Sequence, residues 1–298
     1  MTVAVAESFL TRIRREEPMS RHTSWHVGGA AEIYFVPDSR AELASFLRSL
    51  PSEVPVCWIG LGSNLLVRDG GIRGVVIGTQ GTLDRLDRRS EHTVYAEAGT
   101  ACARIARQCI KWGLGPAEFL AGIPGTLGGA LAMNAGAFGG ETWRHVLEVE
   151  TVDRRGREHR RAADEYRVGY RHVEPPRPEE WFVSATLRFE KRPMTHESEV
   201  RGLLDRRRAT QPIGEWSCGS VFTNPPGDHA ARLIESAGLK GFAVGGASVS
   251  TKHANFINNH GTATAADIET LIQRVRETVE RKHGVSLHPE VRIVGEAA

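Results

Sequence analysis

Hydrophobic positions along the chain switch between a helical and an alternating period, and the switches mark its elements. Leu43, Phe46, Leu47 and Leu50 recur at helical spacing behind a capping box of Ser39 and Glu42, and Pro51 ends the run. Cys102, Ile105, Cys109 and Trp112 form one face of a helix over 101–112, closed by Gly113. IYFV after Gly28-Gly29, PVCWIG (55–60), TVYAEA (93–98), VLEVETV (146–152) and FVSATLRFE (182–190) read as strands, with 55–60 buried. The last third predicts a basic helix over 200–212 stopped by Pro212, a short helix over 229–239, and a turn leading to a strand over 245–259. The clearest helix is 263–284, with a Thr264/Asp267 capping box and a stripe of Ile268, Leu271, Ile272, Val275 and Val279 ending at Gly284. The tail SLHPEVRIVGE is one more strand. Together these elements predict an α+β fold.

Two stretches fit neither period. In 60–77 (GLGSNLLVRDGGIRGVVI), Gly60, Gly62, Ser63 and Asn64 make a tight polar turn between two apolar runs. A Rossmann turn would open a helix; here a strand-like LLV follows, so a nucleotide at this turn would be held by loops of another fold. A plain β-turn is the alternative. In 121–140 (AGIPGTLGGALAMNAGAFGG), seven of twenty residues are glycine, a density that weakens any helix or strand. Ile123, Leu127, Leu131, Met133 and Phe138 make it too apolar for a mobile linker. The stretch reads as a backbone cradle for a flat, phosphate-bearing cofactor, its peptide N–H groups pointing at the ligand.

Composition narrows the classes. A net charge of +2 gives no electrostatic case for nucleic acid or a membrane surface, and no apolar run is long enough to span a bilayer. The arginine-rich segments 154–161 and 201–208 read as solvated faces. Cysteines 57, 102, 109 and 218 have no CxxC or metal-ligand spacing, so no metal is expected. Cys57, Cys102 and Cys109 read as core, and the N-terminus lacks the basic region of a signal peptide, so the expected compartment is the reducing cytoplasm. EYRVGYRH (165–172) brings two Tyr-Arg pairs close together, and composition shifts again at 191–195, which predicts a domain boundary.

The motifs HTSWHVGGAAE, GLGSNLLV, AGIPGTLGGALAMNAGAFGGE, GYR, CGSVFTNP, LIESAGLKG, GGASVSTKHANFI and HPEVR follow one another over about residues 20–295. In this the chain resembles the UDP-N-acetylenolpyruvoylglucosamine reductase family. The short interval between Arg171 and Ser220 is similar to the family's second type, which lacks a tyrosine loop over the substrate. The resemblance implies a two-part FAD-binding region of the vanillyl-alcohol-oxidase type plus a smaller α+β substrate-binding domain. The corresponding domains are 1–78 (with 287–298 returning to it), 79–192 and 193–286. It implies FAD as cofactor, NADPH as electron donor, a UDP-sugar as substrate and a monomer.

The resemblance also assigns roles. Ser220 matches the family's proton donor, Arg171 its carboxylate-binding cation and Glu290 its catalytic carboxylate. On the residues alone Ser220 reads as a loop serine making a turn hydrogen bond, and Arg171 as a surface ion pair or a carboxylate fork. A protonated Glu290, its pKa raised in the complex, could hydrogen-bond developing charge that an ionised one would repel. Arg292, two residues along a strand, would share its face. Asn224, Arg208 and Gln211 are candidates for the UDP-sugar, while Lys252 and His253 either contact ligand or close the domain. Gly60, Gly62, Ser63, Asn64 and Leu65 are assigned to the pyrophosphate of FAD. Gly122, Ile123, Pro124, Gly125, Gly128, Asn134, Ala135, Gly136 and Ala137 are assigned to its isoalloxazine and ribityl. The chain departs from the family pattern at His22, Phe138, Val173, Trp216, Cys218 and Thr223, which bears on substrate affinity more than on reaction type. An oxidase on the same flavin fold, or a non-enzymatic flavin module, would leave GSVF and HPEVR without a role.

Overall fold

A computed structural model describes residues 5–192 and 196–298, with His196 and Glu197 by backbone alone. The chain forms two compact units, each discontinuous in sequence. The first takes the described residues of 1–14, 34–61 and 74–206; the second takes 15–33, 62–73 and 207–298. Of the expected boundary at 191–195, residues 193–195 lie outside the described residues.

In the first unit, helix α1 (Arg40–Ser49) buries Leu43, Phe46 and Leu47. Phe46 stacks on Phe35 at 3.9 Å, and Phe9 meets both rings edge-on. The Ser39 hydroxyl accepts the Glu42 N–H, as the spacing predicts, but the Glu42 carboxylate accepts from the Asp38 N–H. The strand Val56–Ile59 runs parallel to Ile72–Gly78. Only its Ile59 is buried, and Cys57 is half-buried rather than core. This edge strand has one neighbour to cover it, and Trp58 packs on Trp181 at the rim.

Helix α2 (Cys102–Lys111) packs its Ile105, Ala106 and Cys109 into the core of an antiparallel sheet. The strand order is Glu158–Ala162, Val146–Asp153, Glu180–Arg188, Thr93–Glu97, Leu86–Arg88. Val149, Ala185 and Ala96 stand side by side across three of these strands, all buried in the same core as the helix. The glycine-dense stretch contains a helix after all, α3 (Leu127–Met133). Glycine inside a helix costs about 1 kcal/mol relative to Ala. Here it admits a close approach, since a Cβ on Gly128 would crowd Ala98 at 3.0 Å.

Helix α4 (His196–Thr210) is exposed along most of its described length, as its arginine content predicts. In the second unit, α5 (Ala230–Ser236) and α6 (Ala265–His283) pack with a three-stranded sheet of Ala243–Val244, Ala247–Val249 and Ile257–Asn259. The expected single strand over 245–259 is thus two, since the chain reverses between Val249 and Ile257. α6 carries the full Thr264/Asp267 capping box. Asp69 adds a second cap, its carboxylate accepting the Ala265 and Ala266 N–H groups. The tail forms its strand only over Arg292–Val294, parallel to Leu65–Val67, so Glu290 precedes the strand. Val291 is buried while Arg292 is exposed, so the alternation expected there begins before the ladder does.

Two consequences are testable. Burial pushes the thiols of Cys102, Cys109 and Cys218 up to about 12, and the thiolate is the reactive form. Native protein at pH 8 is expected to release chromophore from an aromatic disulfide reagent at Cys57 alone, with the other three reacting only on unfolding. The second concerns Asp153. Burial would raise its carboxyl, but the Arg157 and Arg155 N–H groups, His159 and the Arg157 guanidinium outweigh burial and hold it below the usual carboxylate range. With a depressed folded-state pKa, this stabilisation is complete above the unfolded value of about 4 and is lost as pH falls toward the folded one. Melting temperatures at pH 7 and pH 3.5 are expected to differ more for the native chain than for Asp153→Asn.

Candidate active site

The GLGSN turn leaves the Val56–Ile59 strand and enters Leu65–Val67. Gly62 takes φ +69°, and its carbonyl accepts the Ser24 N–H at 3.1 Å. The backbone N–H groups of Gly60, Leu61, Gly62 and Ser63 donate to no acceptor among the described residues. Four successive N–H groups left open give this turn donors for an anion without a charged side chain. This donor set fits a pyrophosphate, as FAD would present.

The central stretch spends its donors differently. The Leu127 and Gly128 N–H groups go to Thr100 and Ala98 carbonyls at 2.8 Å, and that of Gly129 to the Thr126 hydroxyl. The Gly125 and Ile123 N–H groups are also bonded within the protein. The expected cradle of N–H donors is therefore not found at these positions, because the N-terminus of α3 is already capped. A Cβ on Gly60 would be driven into the Thr126 hydroxyl, and one on Gly122 into Ala137 and Phe138. Gly122, Ile123 and Ala135 are buried, Gly125, Gly128, Gly136 and Ala137 half-buried, and Pro124 exposed.

The predicted site residues fall into two sets, one in each unit. In the second unit, Val221 accepts the Glu290 N–H at 2.7 Å, placing the HPEVR segment beside Ser220. The Asn64 amide donates to the Glu290 carbonyl at 3.0 Å, and the Asn64 carbonyl accepts the Arg292 N–H at 3.1 Å. Gly62–Leu65, Ser220, Glu290 and Arg292 are thus tied together by backbone bonds. Gly219 at φ +72° turns the chain ahead of Ser220. The half-buried Ser220 hydroxyl makes no hydrogen bond among the described residues, so the turn-bonding alternative for it is not realised. The Arg292 side chain is exposed.

One residue of this set was not legible beforehand. Asn255, buried within KHANF, holds Phe222 by both its N–H (3.0 Å) and its carbonyl (2.8 Å), and its own carbonyl accepts the Val221 N–H. A buried Asn between apolar residues is the signal that could have found it. Lys252 donates to the Arg208 carbonyl in the last turn of α4, which favours a closing role, and His253 packs against Phe256. The Gln211 side-chain carbonyl accepts from Arg207 at 2.8 Å, and that of Asn224 caps the Ala230 N–H at 3.0 Å.

In the first unit, Arg171 sits at the tip of a hairpin of Arg167–Gly169 and His172–Glu174, at φ +55°. Its guanidinium donates to the Gly136 carbonyl at 2.9 Å and, at a longer 3.4 Å, to that of Asn134. Asn134 is the left-handed C-cap of α3. Phe138, at φ +52°, and Tyr170 are exposed aromatics of the same unit.

The departures from the expected pattern find local uses. Thr223 donates to the His288 carbonyl at 3.2 Å, Trp216 meets His26 in a tilted contact with ring centroids 4.5 Å apart, and Val173 pairs with Val168. The Cys218 thiol faces the Gly62 and Leu65 carbonyls, and His22 lies 2.9 Å from Glu17.

Family comparisons agree with this geometry. Residues 31–161 match an FAD-binding domain, and 211–294 match the C-terminal domain of UDP-N-acetylenolpyruvoylglucosamine reductase. With the α+β fold described above, these matches place the chain among flavin-dependent oxidoreductases. The UDP-N-acetylenolpyruvoylglucosamine reductase of Alkalilimnicola ehrlichii is 62% identical, covering 96% of this chain and 95% of its own. That of Nitrosococcus oceani is 54% identical over 96% of each. The crystal structure of the Thermus caldophilus enzyme superposes with a TM-score of 0.81 at 32% identity, covering 98% of this chain and 99% of that one. The chain belongs to the UDP-N-acetylenolpyruvoylglucosamine reductase family. No described helix is long and apolar enough to cross a membrane.

Proposed function

We propose that the chain reduces the enolpyruvyl group of UDP-N-acetylglucosamine enolpyruvate to UDP-N-acetylmuramate, the lactyl ether of peptidoglycan precursors, with NADPH as electron donor. When bound, FAD would supply the hydride chemistry that links NADPH to the terminal carbon of the double bond. Hydride arriving there leaves carbanion character at the carbon next to the carboxylate. Ser220 delivers a proton to that carbon; an alkyl hydroxyl is a weak acid, but a carbanion or enol is basic enough to take it. Arg171 holds the substrate carboxylate, where charge accumulates. Glu290, kept protonated beside it, donates a hydrogen bond to the same developing charge. Gly60, Gly62 and Ser63 hold the pyrophosphate of FAD through their N–H groups, and Asn64 fixes that turn against the Glu290 backbone. Arg292, Asn224, Arg208 and Gln211 serve the UDP-sugar.

The observation that carries the reading is a Ser220 hydroxyl with no hydrogen bond among the described residues, on a segment tied to Glu290 by a 2.7 Å backbone bond. The test is anaerobic stopped-flow absorbance at the flavin band. NADPH is expected to bleach the flavin and the UDP-enolpyruvyl sugar to restore it within seconds. Recovery only on admitting oxygen would replace this reading with an oxidase.

A further inference from the structure

Asn134 is 2% exposed, and its hydrogen-bonding capacity can be counted in full. A carboxamide has two N–H donors and a carbonyl oxygen with two lone pairs, one of them open here among the described residues. The donors go to the Gly169 carbonyl at 3.0 Å and the Glu141 carboxylate at 3.3 Å. The carbonyl accepts the Trp143 N–H at 3.1 Å. No donor of the side chain remains for a flavin. What it does hold is the strand residue Gly169, two positions before Arg171, while its own main-chain carbonyl accepts from the Arg171 guanidinium. One residue therefore fixes both the backbone that carries Arg171 and one flank of its side chain.

From this we infer that Asn134 is a positioning residue for Arg171 and not a flavin contact. The inference rests on the proposed role of Arg171 toward the substrate carboxylate. The left-handed backbone at φ +47° explains why Asn does this work. Asn tolerates that region better than other side chains, and the same geometry ends α3 and aims the amide at the hairpin.

Asn134→Gly removes the amide without straining the backbone, because glycine accepts positive φ. The expected result is a reoxidation of reduced flavin by the UDP-enolpyruvyl sugar about 10²-fold slower, the size of effect that misplacing a binding group produces. Flavin reduction by NADPH and the flavin absorption spectrum are expected to be unchanged. In an Arg171→Ala background the same replacement is expected to have almost no further effect, since residues acting as one unit are not additive. A shifted flavin spectrum with both half-reactions slowed alike would overturn the inference in favour of a flavin contact. Additive losses in the double variant would reduce Asn134 to a purely structural residue. Asn134→Asp, which keeps the acceptor for Trp143 but loses the donors, covers the case of a glycine variant that does not fold and is expected to give the same split. A native enzyme whose reduced flavin the sugar fails to reoxidise would refute the underlying reading instead.

Discussion

Ser220→Ala is expected to uncouple the two halves of the reaction. NADPH should still bleach the flavin within about twofold of the native rate, because reduction requires no proton from residue 220. Recovery with the UDP-enolpyruvyl sugar should slow by about 10³ to 10⁴-fold, the upper range for loss of a general acid. The replacement deletes one oxygen that makes no hydrogen bond among the described residues, so the melting temperature should stay within about 1–2 °C. That separation of activity from stability gives the variant its force. Native-rate recovery would remove Ser220 from the proton path, and equal slowing of both halves would assign it to flavin placement.

Glu290 gives the second large effect, and the pair of replacements decides its protonation state. Its backbone is fixed twice, by the Val221 carbonyl and the Asn64 amide, so side-chain variants should leave the main chain in place. If the neutral acid donates a hydrogen bond to developing charge, Glu290→Gln keeps a donor and should hold turnover within about tenfold. Glu290→Ala should lose about 10² to 10³-fold, as for removal of one donor to an oxyanion. Equal large losses would point to an ionised carboxylate, and a flat response to removal from the site altogether. Single-turnover rates with pre-reduced enzyme make this comparison free of the NADPH step.

The helices were the part of the fold most open to reading, because their signals are local. Thr264 with Asp267 fixes the start of α6 and Gly284 its end without reference to any other residue. The α3 helix was hidden by Gly128 and Gly129, since only a three-dimensional neighbour, Ala98, explains why glycine is required at 128. Strand 55–60 was over-buried for a related reason: an edge position depends on how many neighbours a strand finds, which its own residues do not encode. Within the site, family resemblance selected Ser220, Arg171 and Glu290, and chain pattern alone would not have done so. The resemblance named Asn134 but not its geometry, and Asn255 escaped entirely. Both act through bonds to backbone groups distant in sequence, with no periodic signature.

The Asn64 to Glu290 bond spans 226 positions, and that distance sets a timetable for assembly. At about 5–20 residues per second, a ribosome finishes Glu290 roughly 10–45 s after Asn64. During that interval the GLGSN turn has left the exit tunnel without the segment that fastens it. The second unit draws on 15–33, 62–73 and 207–298, so the core that Trp25, Val27 and Leu66 share with the last piece cannot close until that piece is translated. On the proposed pyrophosphate role of this turn, flavin capture waits for the end of translation, and nascent chains stalled before residue 290 should emerge colourless.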